Sequence, residues 1–513
     1  MNGSQTIIVL KKTNKVKVKY GYMRRIFSAL TNIVAKNWII IVTIAAASFL
    51  RLYRLTEFAR FLGDEGRDAI VVKRIIIFEH FPAVGAPTSV GQVYLGPFYY
   101  YFIAPWLALF KLDPVGLAYG VAVFSIVFLA VIYLLTRHFF NERVAIIATF
   151  LTSFSYVLIE LSRFSWNPNL LPLFSMLTVF FFLKALKNKS KVFYFLFGVF
   201  FSFSVQLHYL AMSLALPVLI IGLEDFLSNV KSRGEKIINY SISVASFVFF
   251  MIPLLIFDLR HNFLNSRNFV RLFQSGEAIG DGKIFTLVST FSDLNQYLFS
   301  ISFNNVLALV LFVIILVLFF FNLQKKEYYF RAFIIFFIGS LIVISLYPGV
   351  KHPHYLGMLY PFYIIVIARI LSDFLKRGIF DKVLVFMFLI AFLFLNSKNY
   401  LFLKEEPNNQ IGLAKNIAQK IYENVKTDKF TVTSLPEKYS DSTYRYFLEI
   451  WGKRPNETDS MEKADELFVV CEKKCSPIIG NPLWDIAYFA PTEIVGEWRV
   501  RGVKIYKLTR HEN

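Results

Sequence analysis

Long apolar runs alternate with short polar ones over most of the chain, and the charge is confined to the short ones. Crossing a bilayer as a helix takes about 17 to 25 mainly apolar residues. Runs of that kind fall at residues 37–53, 114–136, 144–160, 168–184, 192–208, 210–224, 237–257, 305–323, 331–347, 355–372 and 382–396. Eleven such spans predict an α-helical polytopic membrane protein over residues 1–396. A further apolar segment, 94–110, is nearly long enough to cross. Past residue 397 the pattern changes. Charges recur every few residues, and strand-like stretches at 430–434, 467–471 and 503–508 alternate with helical periodicity at 411–425 and 443–451, which predicts a small α/β domain over 397–513.

The placement of cations orients the bundle. Arg137 and Arg143 fall in one short loop, and Lys184, Lys187, Lys189 and Lys191 in the next but one. Lys231, Arg233 and Lys236 follow in the same alternation, then Lys325, Lys326 and Arg331, then Lys376, Arg377 and Lys382. The short loops between these hold only Arg163 and Lys351. By the positive-inside rule the crowded loops are cytoplasmic, with the N-terminal tail and its Lys/Arg cluster. This parity requires segment 94–110 to lie in or dip into the outer leaflet, where Tyr99, Tyr100, Tyr101 and Trp106 suit the headgroup interface. The odd number of spans then puts the C-terminal domain outside. The basic stretch from Lys11 to Arg25 is too long for a signal peptide, and no small-residue cleavage site follows the first apolar run, so span one is expected to stay as an anchor. Outer segments 54–113 and 258–304 mix charges with aromatics, as amphipathic helices lying along the surface would.

Composition narrows the function. Of 513 residues, 56% are hydrophobic and 18% charged, with 58 Phe and 27 Tyr; so much apolar surface needs lipid as its solvent. The net charge of +20 is scattered in short clusters and forms no single basic face, which argues against a nucleic-acid partner. Two cysteines exclude a disulfide-rich scaffold and any multi-cysteine metal site. Cys471 and Cys475 stand four apart at a strand end, where a turn would bring them to disulfide distance and a regular helix would not; the sequence leaves both open. No Asp, Glu, Lys or Arg occupies the middle of a span, unlike ion-coupled transporters and channels. The polar groups gather at outward helix ends, as in an enzyme working at the outer membrane face.

Five clusters are candidates for the chemistry. Asp64-Glu65-Gly66-Arg67-Asp68, just after span one, supplies two adjacent carboxylates, Asp64 and Glu65, and an Arg three positions after the first, enough for a general base, an orienting acid and an anion clamp from one turn. The plainer alternative is a solvated loop with Asp64 as helix N-cap. Glu160, at the rim of span three, is costly unless hydrated or partnered, Arg163 being the obvious partner. His208 ends a span. The segment from Asp258 through Arg260, His261 and Arg267 to Arg271, and the segment Lys351-His352-Pro353-His354-Tyr355, put cations on the outer side, where they can hold an anion such as a lipid phosphate or only touch anionic headgroups. His352 and His354 are spaced poorly for a helical metal pair, and no metal ligand set is assigned; Asp64 and Glu160 could share a divalent ion or act without one.

In their order and topology, these features resemble the GT-C glycosyltransferases, in particular the branch of protein O-mannosyltransferases and the lipid A aminoarabinose transferase. The resemblance rests on an Asp-Glu pair after span one, an acidic residue at the end of span three, an aromatic segment between them, an outer loop with Arg and His, and a late His-Tyr before a span. It covers about residues 37–375. It implies an integral-membrane glycosyltransferase, hexosyl or pentosyl and inverting, that passes a sugar from a polyprenyl-phosphate carrier to a glycan, lipid or protein acceptor during cell-envelope glycosylation. Carried over, Asp64 is the first-loop carboxylate, Glu65 its acidic neighbour, Glu160 the second acidic position and Arg67 a cation at the carrier phosphate. Where relatives place Lys-Pro-Pro before the aromatic segment, this chain has Leu95-Gly96-Pro97, so Arg260, Arg267 and Lys351 are expected to help hold the phosphate, with His261, His352, His354 and Tyr355 nearby. The competing reading is a lipid-linked glycan flippase or polymerase, which should carry charges deep in a central cavity.

Overall fold

The computed structural model describes residues 37–510 apart from 89–91, 229–230, 232, 275–282, 325–326, 348, 437, 459, 474 and 476. The first half holds α1 (Asn37–Leu52), α2 (Leu55–Phe58), α3 (Gly63–Ile76), α4 (Phe98–Leu109), α5 (Val115–Phe139), α6 (Glu142–Phe154), α7 (Tyr156–Glu160), α8 (Leu171–Asn188) and α9 (Lys191–Leu207). Then come α10 (Ala215–Ser228), α11 (Arg233–Arg260), α12 (Leu264–Gln274), α13 (Lys283–Phe299), α14 (Asn305–Gln324), α15 (Tyr328–Ser345), α16 (Leu359–Phe374) and α17 (Ile379–Ser397). A helix forms at each of the eleven apolar runs. Six helical stretches among the described residues are by themselves long and apolar enough to cross a membrane: Val115–Phe139, Asn167–Asn188, Tyr209–Ser228, Arg233–Arg260, Tyr328–Ser345 and Ile379–Ser397.

Helix α8 is enclosed by its neighbours, with Leu171, Met176, Val179 and Phe182 fully buried. Helices α11 and α17 turn Val244, Phe249, Phe386 and Phe394 outward, which only lipid makes tolerable. The third expected span is broken: α6 ends where Ser155 becomes extended, and α7 continues to Glu160. The polar groups freed by the break find partners, as buried backbone must. Asn396 Oδ1 accepts from Tyr156 N at 2.7 Å, and Arg51, buried at the end of α1, donates to the carbonyls of Thr152 and Ser153 at 3.3 and 3.2 Å.

Segment 54–113 departs from expectation. Helix α3 does not lie on the surface: it is sandwiched between α4 and α19 (Ser442–Ile450), with Ala69 and Val72 fully buried. Two of the tyrosines expected at the headgroups point into the protein. Tyr99 OH meets Ser165 Oγ at 2.6 Å, and Tyr100 OH donates to Asp68 Oδ1 at 3.0 Å. A buried phenol needs such a partner, and finding one inside makes it a packing residue. Tyr101 remains partly exposed.

The C-terminal part holds α18 (Gln410–Asn424), β1 (Phe430–Leu435), α19, β2 (Glu466–Cys471), α20 (Trp484–Phe489), β3 (Thr492–Val500) and β4 (Val503–Arg510). Its sheet runs β1-β2-β4-β3, with β1 and β2 parallel and the other pairs antiparallel. Strand β3 escaped the sequence reading because it is a largely exposed edge, with a register shift between Ile494 and Gly496 and no buried alternation to betray it. Cys471 and Cys475 are joined in a disulfide, with Cα atoms 5.9 Å apart.

This domain is clamped onto α3, the turn before it and the turn after α4. Gly66 sits against the start of α19 so closely that a Cβ there would lie 2.6 Å from Thr443 N and 2.7 Å from Ser442 C. Glu449 receives Lys73 Nζ and Arg74 Nε, each at 3.0 Å. Tyr446 OH donates to Leu112 O at 2.6 Å, and Phe61 packs edge-on against Tyr446 and Phe447.

Candidate active site

Between the helical bundle and the C-terminal domain lies a cavity of about 1730 Å³. It is lined by the turn before α3 and its first residues, by the chain around residue 94, by α7 and the loop after it, by the α9–α10 connection, by α13 and by residues 352–355. The C-terminal domain closes part of it with Ser442 and Thr458.

The Asp-Glu pair divides into two roles. Asp64 lines the cavity with its side chain 51% exposed, and its Oδ1 accepts from Arg67 Nη1 at 2.7 Å. It is not the helix N-cap, since α3 already begins at Gly63. Glu65 is rotated by about 100° on the helix, away from the cavity, and is 2% exposed. Its Oε1 accepts from Arg60 Nε at 2.7 Å and its Oε2 from Leu62 N at 2.9 Å, which caps the helix start. Both oxygens are therefore committed to holding the turn.

Arg67 also lines the cavity, but its guanidinium is fixed from behind. Asp68, fully buried, accepts from Arg67 Nε at 3.0 Å and Nη2 at 2.8 Å on one oxygen. Burial pushes the Asp68 carboxyl up against the opposing pull of Arg67. Arg67 itself, although burial works to lower it, is held above its ordinary value by Asp68, Tyr100 and Asp64, so it stays a cation at any physiological pH. Sequence reading placed Asp68 in the motif without giving it work. The signal was its i+1 position after an Arg already assigned to the site.

Glu160 lines the cavity near Tyr156 and two arginines. The obvious partner is spent elsewhere: Arg163 donates to the carbonyls of Leu50, Arg51 and Tyr53 at 2.8, 3.2 and 2.9 Å and lies 3.9 Å over the Phe402 ring. Arg60, which the sequence did not single out, lines the cavity instead, 3.6 Å over Phe164 and 5.2 Å from Trp166.

His352, His354 and Tyr355 reach the cavity with His208 and Trp166. The Trp166 and His354 rings are 4.3 Å apart, and those of His352 and His354 stack at 5.7 Å. Burial, with His208, His352 and Arg60 nearby, pushes the His354 imidazole down to about 3. It is a neutral hydrogen-bonding group at neutral pH. Among the described residues no three His, Cys, Asp or Glu side chains are grouped to hold a metal ion.

Four expected members are not brought here. Arg260, His261 and Arg267 are exposed outside the lining, on α11, α12 and the turn between them, and His261 stacks on Phe257 at 4.1 Å. Lys351 is buried beside the cavity, its Nζ donating to Tyr347 O at 2.6 Å, and burial lowers its pKa against the pull of Asp293. Helix α12 is amphipathic, so its cations face outward while Phe269 faces in; residue type alone did not reveal that phase.

The cavity lining thus combines an exposed carboxylate and a pinned cation with a second carboxylate and with aromatic and imidazole groups. Residues 95–257 match the family described as dolichyl-phosphate-mannose-protein mannosyltransferase. No curated protein matches the sequence significantly. Among solved structures, ArnT from Cupriavidus metallidurans bound to undecaprenyl phosphate is similar with a TM-score of 0.60 at 11% identity, over 92% of this chain and 98% of that one. Its apo state gives 0.61 at 12% identity over the same shares. AglB from Archaeoglobus fulgidus, in complex with an inhibitory peptide and a dolichol-phosphate, gives 0.50 at 14% identity, over 82% of this chain and 64% of that one. The chain has the GT-C fold of these membrane glycosyltransferases.

Proposed function

We propose that this protein is an integral-membrane glycosyltransferase that takes a sugar from a polyprenyl-phosphate carrier and passes it to an acceptor at the outer membrane face. The observation that carries the reading is the single cavity lined by Asp64, Arg67, Glu160 and the His352–Tyr355 segment, in a fold shared with a structure bound to undecaprenyl phosphate. Displacing a lipid phosphate from an anomeric carbon develops positive charge on the sugar and negative charge on the leaving oxygen. Such a site needs a carboxylate beside the acceptor and a cation beside the phosphate.

Asp64 is the general base toward the acceptor, Arg67 holds the carrier phosphate, and Arg60 adds positive potential. Glu160, His352, His354 and Tyr355 bind the sugar or acceptor. Glu65 positions the turn and touches neither substrate. A single displacement inverts the anomeric centre. The cation distribution supports a cytoplasmic N-terminus and an external domain of residues 397–513. A flippase should carry charges deep in a central cavity; the Asp, Glu and Arg residues lining this one are Arg60, Asp64, Arg67 and Glu160, in the turn before α3, the start of α3 and the end of α7.

Purified protein in nanodiscs, given polyprenyl-phosphate sugars and envelope acceptors, should release the carrier phosphate, and cells lacking the protein should accumulate one lipid-linked sugar. Reporter fusions at Lys187 and Lys231 should read cytoplasmic and one at Asn409 external. Absence of turnover with every polyprenyl-phosphate sugar, together with unchanged lipid-linked sugar pools, would overturn the assignment.

A further inference from the structure

The Asp68–Tyr100 pair presents a structural puzzle. Asp68 is a fully buried carboxylate; one oxygen takes two bonds from Arg67 and one from Tyr100, and the other has no hydrogen-bond partner. A buried carboxylate with an idle oxygen opposes folding, and its one tie to α4 is the Tyr100 phenol. What it does achieve is geometric. A guanidinium has five N–H donors. Asp68 occupies one on Nε and one on Nη2, and Asp64 occupies one on Nη1. One N–H on each terminal nitrogen remains, on a side chain that lines the cavity and cannot swing, because the anchor below it is itself held by the Tyr100 phenol.

We infer that Asp68 and Tyr100 are positioning residues that pre-orient Arg67 so that its two remaining N–H groups meet the carrier phosphate. The inference rests on the proposed lipid-phosphate donor and goes beyond it, since neither residue touches substrate. A long flexible side chain loses rotamer freedom when it binds, and fixing it beforehand removes that cost from the binding step. The anchor also keeps Arg67 from folding back onto Asp64 alone, which would neutralise both groups.

The test is binding of undecaprenyl phosphate to the full-length protein in nanodiscs, compared among wild type, Arg67→Ala, Asp68→Asn, Tyr100→Phe and the Arg67→Ala/Asp68→Asn pair. Losing a charge-assisted bond to a pinned cation should weaken binding by about tenfold in Asp68→Asn and by a smaller factor in Tyr100→Phe. Asp68→Asn should add almost nothing once Arg67 is Ala, because its whole effect passes through that side chain. With a turnover assay, the same variants should raise the apparent KM for the lipid donor more than they lower kcat. Normal affinity in Asp68→Asn, or a full additive loss in the double variant, overturns the inference while leaving the donor assignment intact. Failure of wild type to bind undecaprenyl or dolichyl phosphate overturns the donor assignment and this inference with it. Should Asp68→Asn fail to fold, Tyr100→Phe carries the same comparison, and unchanged affinity in it counts against the inference.

Discussion

Helices α3 and α12 both carry several charged residues shortly after an apolar helix, yet they treat charge in opposite ways. On α3, Asp64, Glu65, Arg67, Asp68, Lys73 and Arg74 all meet a charged partner. Around α12, none of Arg260, Arg267 and Arg271 has an ion-pair partner among the described residues, and all three are exposed. The carboxylate there, Asp258, is spent as a cap, accepting from Asn265 N at 2.8 Å at the start of the helix. The difference is what covers each helix. Helix α3 has α4 on one side and α19 on the other, where an unpaired charge would be expensive, while the polar face of α12 is open. Charge that has been forced into fixed pairs can be aimed at a substrate; charge on an open face only sets a potential.

Two substitutions in adjacent positions test that contrast most severely. Asp64→Asn keeps the size and removes the base, so transfer should fall by about a hundredfold or more with insertion and carrier binding retained. Glu65→Gln should instead act on the fold, lowering the melting temperature by loosening Arg60 and the Leu62 amide while turnover per folded molecule stays within a few-fold. If Glu65→Gln lost turnover as deeply as Asp64→Asn at unchanged stability, the division of the pair would be wrong.

The cations give the next largest effect. Arg67→Ala should raise the donor concentration needed for half-maximal transfer by about tenfold or more. Arg260→Ala and Arg267→Ala should change it by less than about twofold, and that small effect should vanish at high salt, as screened surface charge does. A donor defect in Arg267→Ala that persists in high salt would bring α12 into the site.

How much of this could be read beforehand follows the same contrast. The eleven apolar helices, and the position of Asp64, Glu160 and the His352–Tyr355 segment at or near helix ends, were legible, because hydrophobic periodicity and helix ends are local properties of the chain. Arg60, the burial of Glu65 and the lining by Ser442 and Thr458 were not. Each depends on a neighbour that is remote in sequence: Phe164 and Trp166 for Arg60, and α19 for the far face of α3. Arg163, three residues after Glu160, acts on that carboxylate only through its charge, because three backbone carbonyls at the end of α1 and just past it take its hydrogen bonds, and those carbonyls too are remote in sequence.

The clamp between α3 and α19 comes next in size. Glu449→Gln leaves Lys73 and Arg74 with Glu79 and Glu457 as their remaining charged partners, which should weaken docking by about 1 kcal/mol. Gly66→Ala forces a Cβ onto the backbone of Ser442 and Thr443. Both should speed hydrogen exchange in α19 and leave exchange in α12 unchanged. Equal protection in the variants and the wild type would mean that the domain is held by something other than this face.

The smallest expected effect concerns protonation in the covered region. The His354 pKa, about 3 in the folded protein against an ordinary value of 6.5, means that between those limits the unfolded chain holds a proton that the folded chain lacks. Stability therefore rises with pH across that window and is lost as pH falls from about 6.5 toward 3. His354→Gln removes the titrating group, so its melting temperature should drop less than that of the wild type between about pH 7 and pH 5. A wild-type slope in His354→Gln would show that the imidazole takes up its proton in the folded state as readily as in the unfolded one. The aromatic end of the cavity would then be a wetter and more open place than the packing of Trp166, His208 and Tyr355 around that ring implies.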